Sequence, residues 1–428
     1  MLSVHQHWNP LKVCAVGRCY PPEFFSHIKH PKVRNTFEKI AQETEEDYQK
    51  LIKTLEKFNV KVLRTDISED LDVYRKKKPP APPMMPRDYL ATFGDKVYMP
   101  SEAYGDNINV EQLAHEIVRD DFNTVIQKIK DNPEVYKYLT DLLLPGRAVS
   151  NIQTILKLRK LVDAYRGNML GTLVSADDAK AIKEIMLQSK MLTIGSNDCP
   201  PSFKGHYAFG TIRNWVEEQR TEIVYDEYIN SATMARLGKD LYIGIGNLGN
   251  KLNEETYMNK WRSKFPEHRL HRIDIPGHID SVFTPVIPGL ILMQEGLQVE
   301  GLPDWDIVKL PVPRDTAPEF FANKKKIRGR YWISGEEYND DFNDYLDEWM
   351  GHWVTYVQET AFDLNIVMVD EKNVLCNNEN EAVFKIFERY GITPHVVNFR
   401  HRFFWDGGLH CMTSDIDRDG EQQDYFPD

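Results

Sequence analysis

The sequence predicts an α/β fold assembled from repeated hairpin-plus-helix units, and two observations carry that prediction. Polar groups at Pro86-Arg87-Asp88, Asn230-Ser231, His278-Ile279-Asp280 and Phe362-Asp363-Leu364-Asn365 each open an apolar run that turns back on itself. Helix-period stretches follow several of these hairpins, near Val110–Ile129, Glu254–Phe265 and Glu379–Tyr390, the last ended by Gly391. One such unit cannot bury its own sheet, so the units are expected to pack around a common centre. A mixed α/β fold without internal symmetry satisfies the same pattern.

Each element has its own signal. Lys12–Val16 is a short apolar run that stops at Gly17. From about Val33 to Phe58, the residues Phe37, Ile40, Ala41, Leu51, Ile52, Leu55 and Phe58 fall at helical spacing, and Val60–Leu63 follows as a strand. Lys76-Lys77-Lys78 beside Pro79-Pro80-Ala81-Pro82-Pro83 forbids a helix and makes a solvated, extended loop. The hairpins then turn at Gly94-Asp95, Gly238-Lys239-Asp240, Pro288-Gly289 and Asp370-Glu371-Lys372. Packing around a centre would bring the hairpin openings together, and with them Asp88, Asn230, His278 and Cys411. The chain is expected to form a single domain over 1–428 with a helical insertion near 101–221.

Composition narrows the class of function. A net charge of −12 argues against nucleic acid and anionic membranes as partners. The five cysteines (Cys14, Cys19, Cys199, Cys376, Cys411) are odd in number and scattered, which fits neither a disulfide framework nor a zinc site. No basic and apolar leader and no span-length apolar stretch is present, so a cytoplasmic protein without a membrane segment is expected. No cofactor or metal is expected. Gly244-Ile245-Gly246-Asn247-Leu248-Gly249 has the letters of a dinucleotide fingerprint, but its helix starts too late. Asp415-Ile416-Asp417-Arg418-Asp419-Gly420 starts like a calcium loop, but Phe426 stands where the bidentate glutamate belongs. His268 and His271 lack a third ligand nearby.

The run Asp406-Gly407-Gly408-Leu409-His410-Cys411 carries the strongest chemical signal. Two glycines let the backbone turn sharply and come close to a ligand, and a thiol is the best natural nucleophile near neutral pH once ionised. His278, within Pro276-Gly277-His278-Ile279-Asp280, supplies a base of suitable basicity. The bland alternative, a small buried hydrophobe at Cys411, is what most free cysteines are.

Taken together these pieces resemble the amidinotransferase family. The matching residues are His7-Trp8-Asn9-Pro10-Leu11-Lys12-Val13 with Val16-Gly17-Arg18, Pro86-Arg87-Asp88, His278-Ile279-Asp280, Asn365–Lys372, Tyr390-Gly391-Ile392-Thr393, and Gly407–Cys411 followed by Thr413 and Asp415. The resemblance implies a five-bladed, pseudo-symmetric α/β propeller of ββαβ units. It also implies transfer of an amidino group from a guanidino donor, arginine by expectation, to an amine through a covalent amidino-cysteine. Cys411 would be the nucleophile and His278 the acid and base, with Asn230 orienting His278. Asp88 and Asp280 would grip the guanidinium, and Arg87, Gly408 and His410 would join them around the substrate. The expected partners are small molecules, and a homodimer is compatible with the class.

The chain departs from the family pattern at three places. Asn230 stands where relatives carry an aspartate, with Asp226 as the alternative if the register differs. Gln294-Glu295-Gly296-Leu297 lacks the arginine that relatives use for a substrate carboxylate, and Trp405-Asp406 replaces small residues before Gly407. The Phe403-Phe404-Trp405 run could cover the adduct or belong to the core. A guanidine hydrolase of the arginine deiminase or dihydrolase kind is the alternative enzyme, and a non-catalytic guanidino-binding protein the alternative class.

Overall fold

Every sheet found among the described residues repeats one pattern, an antiparallel hairpin extended by a parallel strand. The computed structural model describes residues 2–69, 71, 81–99, 208–225, 229–245, 258–259, 261–275, 278–311, 333, 336, 339–346 and 361–426. All of them belong to one compact unit, Met1–Ser101 with Phe203–Asp428. The expected helix Val110–Ile129 and most of the expected insertion lie outside the described residues, as does Asp226.

In chain order the strands are β1 (Leu11–Val16), β2 (Lys61–Arg64), β3 (Ala91–Phe93), β4 (Lys96–Met99), β5 (Glu222–Tyr225), β6 (Met234–Leu237), β7 (Asp240–Gly244) and β8 (Arg269–Ile273). They continue with β9 (Phe283–Ile287), β10 (Leu290–Gln294), β11 (Asp306–Leu310), β12 (Val367–Asp370), β13 (Asn373–Cys376), β14 (Thr393–Val396) and β15 (Thr413–Arg418). The sheets run β3-β4-β5, β6-β7-β8, β9-β10-β11, β12-β13-β14 and β15-β1-β2. In each the first pair is antiparallel and the second parallel. The fold is therefore mixed α/β with small sheets, and the hairpins fall where the turn residues predicted them. At the turn between β6 and β7, Gly238 has φ +65°, and a Cβ there would come within 2.0 Å of the Gln423 carbonyl oxygen.

The long helix spans Pro31–Lys57, two residues ahead of its expected start. Pro31 suits the first turn, where its missing N–H has no partner to lose. Val33, Phe37, Ile40, Ala41, Tyr48, Leu51 and Leu55 make its buried stripe. Phe37 stacks on Phe25 at 4.8 Å and meets Phe342 at the same distance. Burying each such side chain stabilises the fold by about 1.5–3 kcal/mol. Asn59, in the left-handed region at φ 60°, ends the helix and turns the chain into β2. Ile52 and Phe58, expected in the core, are only half-buried.

The same helix anchors the approach to the loop that carries Cys411. Its Asp47, fully buried, accepts from Arg400 N at 2.8 Å and Arg400 Nε at 3.0 Å, and Thr44 Oγ1 accepts from Trp405 Nε1 at 3.0 Å. Phe404 and Trp405 are buried, Phe404 packing near Phe342. Those two aromatics are core, which removes them from any cover over the site. The stretch that started like a calcium loop is β15, paired antiparallel with β1.

Candidate active site

The expected convergence of hairpin openings holds for the described turns. Single 3₁₀ turns at Pro86–Asp88, Ser231–Thr233 and Ile279–Ser281 lead into β3, β6 and β9, and the middle turn touches both of the others. Asn365 stands in the corresponding turn before β12, and Cys411 in the one before β15.

Cys411 is 1% exposed. Its sulfur lies 3.5 Å from Asp280 Oδ2 and 2.9 Å from Asn365 Nδ2. Asp280 Oδ2 also meets His410 Nδ1 at 2.8 Å, whereas the buried Oδ1 has no hydrogen-bond partner among the described residues. Burial works to raise the Asp280 carboxyl, but the hydrogen bond from His410, and then the nearby His278 and Arg87, hold it below its ordinary range. An ionised carboxylate with one oxygen unsatisfied, next to a thiol, is a receptor for an N–H-rich cation.

Across this pair, His278 Nδ1 lies 3.6 Å from Asp88 Oδ1. The His278 and Asp88 side chains are 25% and 18% exposed, so solvent reaches the site from their side and not from that of the cysteine. Asn230 does not make the expected contact. Its Oδ1 accepts from Thr233 N at 3.1 Å, capping the 3₁₀ turn, and the carboxylate beside His278 is that of Asp88. Asparagine is a strong capping residue, and this local bond occupies the oxygen that would have met the imidazole.

Arg87, Gly408 and His410 also take roles other than the expected contact with substrate. Arg87 is 1% exposed, and its Nε donates to the carbonyls of His410 at 2.6 Å and Thr413 at 2.9 Å. Arg87 therefore clamps the Cys411 loop. A Cβ on Gly408 would fall 2.5 Å from Asn365 Oδ1 and 3.0 Å from Asn377 Nδ2, so glycine is required by the asparagines packed against it. His410 is buried behind Asp280, and burial, then the charge of Arg87, holds its imidazole down to about 4 against the pull of Asp280. It is neutral near pH 7 and donates to Asp280 through Nδ1. A small pocket bordered by His7, Thr284, Asp280, His410 and Arg418 is not lined by Cys411, His278 or Asp88.

The sequence reading passed over the groups that hold this geometry. Asp415 Oδ1 meets Arg87 Nη2 at 3.2 Å, and its Oδ2 meets Arg418 Nε at 2.9 Å and Arg236 Nη2. All four residues are at most 3% exposed. Burial alone would raise the Asp415 carboxyl, but Arg236, Arg418 and Arg87 hold it well below the usual carboxylate range. Asn377 Oδ1 accepts from Leu409 N at 2.9 Å, and Asn365 Oδ1 from His410 N at 2.8 Å. A usable signal existed for Asn365, which opens the fourth hairpin as Asp88 and Asp280 open theirs. Cys14 and Cys376, pushed up to about 12 by burial first and by nearby Asp415 and Asp363 respectively, are thiols at neutral pH.

Fold and site thus define a mixed α/β protein whose hairpin openings surround a buried cysteine with carboxylates, imidazole and carboxamides. No protein-family model matches the chain. In sequence it is similar to amidinotransferases. Over 213 residues it is 26% identical to mitochondrial glycine amidinotransferase of Gallus gallus, an alignment covering 47% of this chain and 41% of that protein. Over 228 residues it is 25% identical to L-arginine:L-lysine amidinotransferase of Pseudomonas savastanoi pv. phaseolicola, covering 50% and 53%. The matches thus take in about half the length of these relatives. The amidinotransferase SxtG of Microseira wollei superposes with a TM-score of 0.52 over 99% of both chains at 15% identity, a shared fold.

Proposed function

We propose that this protein is an amidinotransferase that takes an amidino group from a guanidino donor, arginine by preference, and passes it to an amine through an amidino group held on Cys411. The observation that carries the reading is the unsatisfied, buried Oδ1 of an ionised Asp280 whose other oxygen lies 3.5 Å from the Cys411 sulfur. A guanidinium is planar, permanently charged and rich in N–H donors, so two carboxylates, Asp280 and Asp88, match it in charge and in hydrogen bonding.

The steps follow from the groups present. In the resting site the Cys411 thiol donates to Asp280 Oδ2. A bound guanidinium offsets the Asp280 charge and favours the thiolate beside it, the thiol proton passing to the imidazole of His278. The thiolate attacks the guanidino carbon, the C–N bond to the donor's amine breaks, and His278 gives that amine a proton as it leaves. The incoming amine then surrenders a proton to His278 as it attacks the amidino carbon, the C–S bond breaks, and the thiolate is restored. The partly exposed His278 and Asp88 stand where both amines must pass.

In the same reading the sheets are the blades of a five-bladed propeller, with β15 and β1 closing the ring. The common strand order and the contacts of β15 with β3, β6 with β9 and β1 with β12 support this. Transfer is favoured over hydrolysis by the relatives, which are transferases by name. The test is mass spectrometry of the intact protein and its Cys411 peptide after brief incubation with arginine. An amidino adduct on Cys411, discharged by an added amine, is expected. Absence of the adduct at saturating arginine refutes the covalent mechanism, and sustained citrulline or urea release without an amine would make the protein a hydrolase.

A further inference from the structure

We infer that Asn365 is a catalytic residue whose carboxamide N–H stabilises the Cys411 thiolate, an inference that rests on the reading of Cys411 as nucleophile. Its orientation is fixed by the backbone. Asn365 Oδ1 accepts from His410 N at 2.8 Å and, more weakly, from Cys411 N at 3.4 Å. An amide that turns its oxygen to two N–H donors must turn its nitrogen the other way, and Asn365 Nδ2 lies 2.9 Å from Cys411 Sγ.

The donor matters because another polar neighbour of the sulfur works against ionisation. Asp280 Oδ2, 3.5 Å away, accepts from the thiol but repels a thiolate. Asn365 favours the thiolate, since a donor to a charged acceptor gains strength when the charge appears. Donation into Asn365 Oδ1 further polarises its N–H toward the sulfur. The support is rigid. Asn365 is fully buried, its carbonyl accepts from Asn377 Nδ2 at 2.6 Å, and Gly408 gives its amide room that a Cβ would take.

The test is the pH dependence of alkylation of Cys411 by iodoacetamide, followed on the Cys411 peptide so that the other cysteines do not contribute. In the Asn365→Ala protein, loss of one hydrogen bond to a charged group should raise the inflection by about one to two pH units. Asn377→Ala loosens the loop and the Asn365 carbonyl without removing the donor at the sulfur, and its inflection should rise by clearly less than that of the Asn365→Ala protein. Where Asn365→Ala does not fold, Asn365→Ser at the same position serves, with a rise again expected. An inflection unmoved in the folded Asn365 variant, or moved equally in the Asn377→Ala protein, overturns the inference and leaves Asn365 a loop-holding residue. The amidino adduct on the native protein reports on the nucleophile separately, so the two readings fail apart.

Discussion

Replacing Asp415 with asparagine should cost more stability than any other isosteric change near the site. The carboxylate faces Arg87, Arg236 and Arg418, and none of the four residues exceeds 3% exposure. Asp415→Asn keeps the shape but leaves three buried guanidinium groups without their shared counter-charge. Breaking a buried ion pair by removing one partner costs about 3–5 kcal/mol, and the triple partnership puts this site at the upper end. The pH dependence has a definite sign. Because the folded carboxyl is held far below its unfolded value, its contribution is complete above about pH 4 and is lost as pH falls below that toward the folded value. Urea denaturation of native and Asp415→Asn proteins at neutral pH and at successively lower pH measures both effects. The gap between the two should be several kcal/mol at pH 7 and shrink in acid. A neutral-pH loss below about 1 kcal/mol, the size of an ordinary surface change, would refute the keystone role.

Four further outcomes are expected. Cys411→Ser and Cys411→Ala should abolish amidino transfer and adduct formation while leaving the thermal midpoint close to native; near-normal turnover in Cys411→Ala would exclude the mechanism. Asp88→Asn should lower kcat by about 10²–10⁴-fold by disturbing His278, whereas Asn230→Ala should act mainly by removing a turn cap worth about 1 kcal/mol; the reverse order in a kcat and melting comparison would restore Asn230 as the histidine's partner. His410 is held to about 4, so between that value and about 6.5 the unfolded chain binds the extra proton and stability rises with pH; His410→Gln should flatten this limb, worth up to about 3 kcal/mol, in denaturant titrations across the window. Gly408→Ala should reduce activity strongly by driving a Cβ at the Asn365 oxygen 2.5 Å away, and an active, unaltered Gly408→Ala protein would show that the asparagine pair does not need its place.

What could be read from the sequence follows the physics of each element. Hairpins were legible because Gly94, Gly238 and Gly289 mark their turns and the strands they join are buried. Of the parallel third strands, β2 was read, as Val60–Leu63, but the others were not. β11 and β14 are short and only half-buried along their length, and β14 carries a proline, so neither alternation nor a long apolar run announces them. β15 was hidden for a different reason: Asp415, Asp417 and Arg418 read as a polar loop until the buried arginines that satisfy Asp415 are in view. At the site, Cys411, Asp280, His278 and Asp88 were visible as types at suggestive spacings. Asn230 was misplaced because a cap bond of three residues' reach competes with a tertiary contact, and local spacing cannot decide between them.

The pairing of β15 with β1 has a bearing on how the protein is made. Ser3 N donates to Asp417 Oδ1 at 2.9 Å and Gln6 Nε2 to the Glu421 carbonyl at 2.9 Å, so an early segment is buttoned to a late one. On the ribosome β1 emerges long before its antiparallel partner, and Arg87 and Arg236 long before Asp415. A nascent chain therefore holds Arg87 and Arg236 without the Asp415 carboxylate until translation has passed Cys411. A chain ending just after residue 412 would carry the thiol together with Asn365, Asn377 and Arg87, which hold its loop, but would lack the Asp415 carboxylate that compensates Arg87 and Arg236.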